Sequence, residues 1–189
     1  MSQKISLNEE MLWCASYGDL NGVIKMIRKG ADPYYISKDD MGLSDHGDGF
    51  DILLFLALNA RASAVLYLAE KYPKLLKRRA KMLHKRTAGL WLAVYGQTEI
   101  AFELSKIDPD ILLDQDEQGL SIGLCAAYLS EFDIALEMAR ERPEIMEHKM
   151  ENGDTILHIF QAKNASQDQI DELLRIMRRA RIDIPEEFQ

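Results

Sequence analysis

The sequence is poor in several things, and each scarcity excludes something. Cysteine occurs twice in 189 residues, at Cys14 and Cys125. Two thiols cannot form the disulfide framework of a small secreted domain, and both lie in apolar stretches, so they read as reduced core residues. Long apolar runs are absent. Stretches such as ILLFLAL at 52–58 fall far short of the roughly 20 residues that cross a bilayer. The N-terminal MSQKISLNEEMLWCASYGDL holds no apolar block before a small-residue cleavage site, so no secretory signal is expected. The expected location is the cytoplasm, or outside the cell by a route that needs no N-terminal signal. There is no C-x-x-C pair, P-loop or G-x-G-x-x-G. Histidine is limited to His46, His84, His148 and His158, scattered so that no Cys–His or Ser–His–Asp constellation can be argued. No catalytic residue, cofactor or metal site is expected. Bases are the minority charge, 23 Lys and Arg against 31 Asp and Glu, for a net charge of −8. That balance disfavours nucleic acid as a partner.

What is present is a repeat. Pro73, Pro109 and Pro143 sit in YPKLL, DPDIL and RPEIM, at spacings of 36 and 34. Each precedes two large apolar residues, one position on. Before each lies an amphipathic stretch, AVLYLAEKY, IAFELSKID or IALEMARER, whose apolar residues share one helical face. A second helix precedes each of these. Aligned, MLWCASYG, LLFLALNA, GLWLAVYG, GLCAAYLS and LHIFQAKN put Leu12, Leu54, Leu90, Leu124 and His158 in one column. Ala15, Ala57, Ala93, Ala127 and Gln161 share another, at spacings of 42, 36, 34 and 34. A small residue there lets helices approach closely. Trp13, Phe55, Trp91, Cys125 and Ile159 form an apolar column that reads as core. Three residues before the Leu/His column stand Glu9, Asp51, Thr87, Ser121 and Thr155; the last four are good helix N-caps. The chain thus reads as five helix–turn–helix units that bury their apolar faces by stacking.

These residues resemble the ankyrin repeat. GDLNGVIKMIRKGADP at 18–33 is similar to the family's second helix and its Gly-Ala-Asp exit. NGDTILH at 152–158 is similar to G-x-T-P-L-H, with Ile156 in place of the proline, and DEQGLS at 116–121 is similar to the D-x-x-G-x-T turn. The resemblance implies an all-α helix–turn–helix repeat solenoid with short or degenerate β-hairpin fingers. It also implies a structural role for His158, and binding of a macromolecule by the concave face and finger loops, without catalysis. The units run approximately over 5–35, 48–80, 84–115, 116–148 and 150–182, with an acidic insertion at 34–50 and a short tail at 183–189. A monomer is the expected state.

Two segments invite functional readings. KYPKLLKRRAKMLHKR at 71–86 carries eight bases and no acid. It lacks glycine and is rich in helix formers, which predicts an extended helix or distorted finger with Leu75, Leu76, Leu83 and Ala80 turned inward. One reading is a basic ridge, with Lys74, Lys77, Arg78, Arg79, Lys81, Lys85 and Arg86 docking an acidic protein, a phosphate or a nucleic acid. The other is a solvated face balanced by DPDILLDQDEQ at 108–118, with five acids and no base. Finger residues Asp116, Glu117, Gln118, Glu151 and Asn152 are the candidates on the concave side. ISKDDMGLSDHGDGFD at 36–51 holds Asp39, Asp40, Asp45, Asp48, Asp51 and His46. Its order does not fit a calcium loop, so a polar contact loop is the reading. The leading expectation is a protein-binding scaffold. The alternative is a bacterial effector or regulatory protein that binds a heterologous target.

Overall fold

Four polar residues start four helices, and their spacing sets the architecture. In the computed structural model, which describes residues 5–38, 49–81 and 83–188, Asp51, Thr87, Ser121 and Thr155 are the N-caps of α3 (Ile52–Leu58), α5 (Ala88–Val94), α7 (Ile122–Tyr128) and α9 (Ile156–Ala162). All four are buried. Asp51, Thr87 and Ser121 accept hydrogen bonds from first-turn N–H groups, which would otherwise lack partners away from water. The Thr155 N–H donates to His158 Nδ1 at 3.3 Å, and Thr155 Oγ1 lies 2.7 Å from the same nitrogen. In the first unit Ser6 caps α1 (Leu7–Ser16), and Glu9 closes a capping box from the third helical position.

Each of these helices ends in the same turn. Gly18, Ala60, Gly96, Ser130 and Asn164 all have positive φ, between 53° and 75°. Their N–H groups bond to Ala15, Ala57, Ala93, Ala127 and Gln161, and the next N–H reaches back five residues, at 2.8–3.2 Å throughout. This is a Schellman end repeated five times. It reverses the chain into α2 (Leu20–Arg28), α4 (Ala62–Lys71), α6 (Thr98–Ser105), α8 (Phe132–Glu141) and α10 (Gln167–Ala180). At Gly96 a Cβ would meet nothing within 4 Å, so a side chain there pays only for the left-handed backbone. Gly96→Ala is expected to lower stability by about 1 kcal/mol, read by urea melting; no loss would contradict the observed turn.

The helices form two rows. α1, α3, α5, α7 and α9 pack side by side, and α4, α6, α8 and α10 make the second row with α2 against α1. Leu12, Leu54, Leu90 and Leu124, with Ala15, Ala57, Ala93 and Ala127, are fully buried where the rows meet. Phe55, Trp91, Cys125 and Ile159 are buried as well, and Trp13 is half-buried. Pro73, Pro109 and Pro143 each open a 3₁₀ turn that buries the pair Leu75/Leu76, Ile111/Leu112 or Ile145/Met146. A missing N–H costs nothing at a helix start, which is why proline suits that position.

Two expectations are corrected. No strand occurs among the described residues, so the fingers are turns and not β-hairpins. They touch through single backbone bonds, Glu117 N–H to His84 O and Glu151 N–H to Gln118 O, each 3.1 Å. Of the two forms expected for the basic run, an extended helix or a distorted finger, the extended helix does not occur. Its 3₁₀ turn ends at Lys77, and His84 and Lys85 are left-handed at φ 65° and 55°. Burying Leu75 and Leu76 and then returning to the Thr87 cap requires a reversal, and that requirement overrides helix propensity. Ala80 is buried as expected; the side chain of Leu83 lies outside the described residues. The C-terminal segment packs on the last unit through Ile182, Ile184 and Phe188, with the Phe188 ring edge-on to His158 at 5.2 Å.

Candidate partner-binding surface

The basic run has a counterpart in space. Lys77 Nζ lies 3.3 Å from Asp108 and 3.5 Å from Asp110. Arg79 donates to Asp114 at 2.6 Å and to the carbonyls of Gln115 and Lys85. Lys85 meets Glu117 at 2.7 Å, and Arg86 meets Asp116 at 2.9 Å. Thus the five acids of 108–118 each face a base of 73–86, one unit along. Arg79 also explains the left-handed pair, because it grips Lys85 O while Glu117 holds His84 O. Such over-determination is what lets an unfavourable backbone persist.

These contacts differ in weight. Lys77 and Lys85 hold their pairs from exposed positions, where such contacts are worth little singly. The Arg86–Asp116 pair differs: Asp116's side chain is fully buried and Arg86's is 12% exposed. Asp116 Oδ1 also accepts the N–H groups of Gln118 and Leu120, and the Arg86 guanidinium lies 4.9 Å from the Trp91 ring centroid, in cation–π range. Gly119 completes this turn at φ 77°, where a Cβ would fall 2.2 Å from the Lys149 carbonyl oxygen. Arg78 points elsewhere, with Nε 3.6 Å from Asp51 Oδ2. Lys81 lies over Gly49, and Lys74 is exposed. The cations expected to form an open ridge are therefore largely engaged with their own chain.

The finger candidates separate likewise. Asp116 is structural. Glu117 and Glu151 are exposed, Gln118 is half-buried, and Asn152 closes the last turn by donating to Asp154 and accepting its N–H. Asp39, Asp40, Asp45, His46 and Asp48 lie outside the described residues. Asp51 is the buried cap of α3.

A different row of side chains faces outward along the C-terminal ends of α1, α5 and α7. Tyr17, Tyr95 and Leu129 are 72%, 45% and 45% exposed. They occupy one column with Asn59 and Lys163, four residues after the Trp13 column. Tyr17 stacks on Trp13 at 5.9 Å and Tyr95 on Trp91 at 5.7 Å, as residues one helical turn apart do. Beside Leu129 an apolar groove of about 280 Å³ opens between α5, α7 and the last finger; its lining includes Ala93, Val94, Leu120, Tyr128, Leu129 and Met150. The Tyr128 hydroxyl donates to Asp154 at 3.2 Å. The sequence reading passed over this row. Its signal was present as large apolar residues at the C-terminal ends of these helices, in register with the repeat.

Neither thiol suits nucleophilic chemistry. Burial pushes Cys125 up to about 12, and burial with Asp19 and Glu10 nearby also raises Cys14. Among the described residues no group of His, Cys, Asp and Glu is placed to hold a metal ion. No described helix is long and apolar enough to cross a membrane. Neither a scan against protein-family models nor a search of the curated proteins finds a match to this chain. Fold and surface therefore define the class by themselves: an all-α protein of stacked helix pairs, with apolar and aromatic side chains exposed along one row of helix ends.

Proposed function

We propose that this chain is a macromolecule-binding module of ankyrin-repeat type that works without catalysis and recognises a protein partner. The observation that carries the reading is the exposed column Tyr17, Tyr95 and Leu129, held in register by five identical turns. A core has no use for these side chains, whereas aromatic anchors are what binding surfaces concentrate. The array supplies the frame, and in this reading the fingers of Glu117, Gln118, Glu151 and Asn152 add polar contacts to those of the column. The basic run serves this module as a clasp between its second, third and fourth units, because most of its charges are answered within the chain.

The test is affinity capture with cross-linking and mass spectrometry, after nuclease treatment. Wild type is compared with Tyr17→Ser/Tyr95→Ser and, separately, with Lys77→Glu/Lys85→Glu, each checked for an unchanged helical signal. The expected result is a specific protein lost from the tyrosine variant and kept by the charge variant. Loss with the charge variant alone would move the site to the basic run. Identical partners for all three chains would remove the column from consideration.

A further inference from the structure

The groove beside Leu129 has features that the general reading does not use. About 280 Å³ is below the usual range of small-molecule pockets and suits one or two large side chains. No charged residue lines it, so its occupant must be apolar. The surroundings differ. At the turn end, Glu131 is held above the usual carboxylate range by burial and by Glu99. Its Oε2 accepts from the Thr98 hydroxyl, and no base is ion-paired to either acid among the described residues. At the finger end lie Asp154, bonded to the groove's Tyr128, and Glu151, exposed and tied by its N–H to Gln118. Among the described residues neither of these is ion-paired. Arg86, whose charge reaches the lining Cys125, is taken by Asp116, and Lys85 is taken by Glu117. Two pairs of acids without cationic partners among the described residues thus flank an uncharged slot at both ends.

We infer that this groove takes the apolar anchor of a basic segment of a partner protein, with Lys or Arg on both sides of one large aliphatic or aromatic residue. The anchor fills the slot between Val94, Leu129 and Met150, while flanking cations meet Glu99 and Glu131 at one end and Glu151 and Asp154 at the other. Apolar burial supplies the affinity, and charge supplies orientation and rate. The assignment rests on the macromolecule-binding reading above and reverses the partner charge that the basic run suggests.

The experiment is selection from a displayed library of random short peptides on the full chain, followed by fluorescence anisotropy of the selected sequences. The expected winners pair Lys/Arg with one large apolar residue. Their binding should fall about tenfold or more with Leu129→Glu, as removal of an anchor does, and should weaken with salt. Leu129 is 45% exposed, so the variant should keep its fold, checked by its melting curve. The double variant Glu99→Lys/Glu151→Lys alters charge without touching the groove lining, and should weaken the same peptides mainly at low salt. Acidic or neutral winners lost with Leu129→Glu would overturn the basic partner while keeping the groove as a binding site. Winners indifferent to Leu129→Glu would overturn the groove and leave the broader binding reading intact. An absence of winners would overturn the peptide assignment, with the capture experiment deciding the broader reading on its own.

Discussion

Replacing Arg86 with methionine is expected to destabilise the protein by about 3–5 kcal/mol, the usual consequence of removing one member of a buried pair. Asp116 is the reason. Its carboxylate is fully buried, and two backbone N–H groups hold Oδ1, so Oδ2 depends on Arg86 at 2.9 Å. Methionine keeps much of the packing over Trp91 but leaves a charge with no counterpart. Asp116→Asn in the same background should recover a large part of the loss, because the orphan is then an amide. Urea melts of the two single variants and the double variant give the coupling directly. A loss below about 1 kcal/mol for Arg86→Met would mean the pair behaves like an exposed one.

Asp51→Asn is expected to act in the other direction, raising stability by about 1–3 kcal/mol near pH 7.5 and by little near pH 4. Burial pushes the Asp51 carboxyl up to about 6, against the pull of two backbone N–H bonds and Arg78. Arg78 stands at 3.6 Å, beyond hydrogen-bond range, and Oδ2 has no hydrogen-bond donor. Because the folded-state value lies above the unfolded one, the folded chain holds this proton more tightly. That stabilisation is complete below the ordinary carboxyl value of 3.8 and is lost as pH rises through about 6. Asparagine keeps the acceptor for Leu53 and Leu54 without the charge. His148 runs the opposite way: burial lowers it from 6.5 to about 4, so its contribution is lost as pH falls through that interval. The difference between wild type and Asp51→Asn across pH isolates Asp51 from His148. A destabilised variant at neutral pH would show that the Arg78 attraction outweighs burial.

Much of the fold was legible because it is written in residues whose chemistry is local. Asp51, Thr87, Ser121 and Thr155 announce helix starts through their side-chain oxygens, and the alanine column announces close packing through its size. Pro73, Pro109 and Pro143 mark 3₁₀ turns that bury the two apolar residues after them. The turn column was not legible, because left-handed backbone at Ala60, Ser130 and Asn164 is imposed by the helix that follows and not by those residues alone. Of the two forms expected over the basic run, the extended helix failed for a related reason. Propensity describes Lys, Arg and Leu in isolation, whereas the fate of 71–86 depends on acids about thirty residues away. The acidic run was visible as a possible balance, but only the register of one unit on the next pairs Arg79 with Asp114 and Arg86 with Asp116. The exposed row was overlooked because Tyr95 and Leu129 carry the same residue types as a core. Only their position at the helix ends turns them outward.

The reach of the bonds between units bears on how the chain folds. Among the described residues, side-chain and finger bonds between units join residues no more than 43 positions apart, Asn59 to Ser16 being that case. Arg86–Asp116 spans 30 and Glu151–Gln118 spans 33. Low sequence separation lowers the loop-closure entropy that slows folding, and nearest-neighbour wiring lets structure spread from any unit. During synthesis each helix pair can dock once about one further repeat has emerged, since nothing in these contacts waits for the far end of the chain. The clasp of 73–86 on 108–118 is then a joint that closes in step with the chain, when the acids that end the third unit and open the fourth arrive to meet bases already in place.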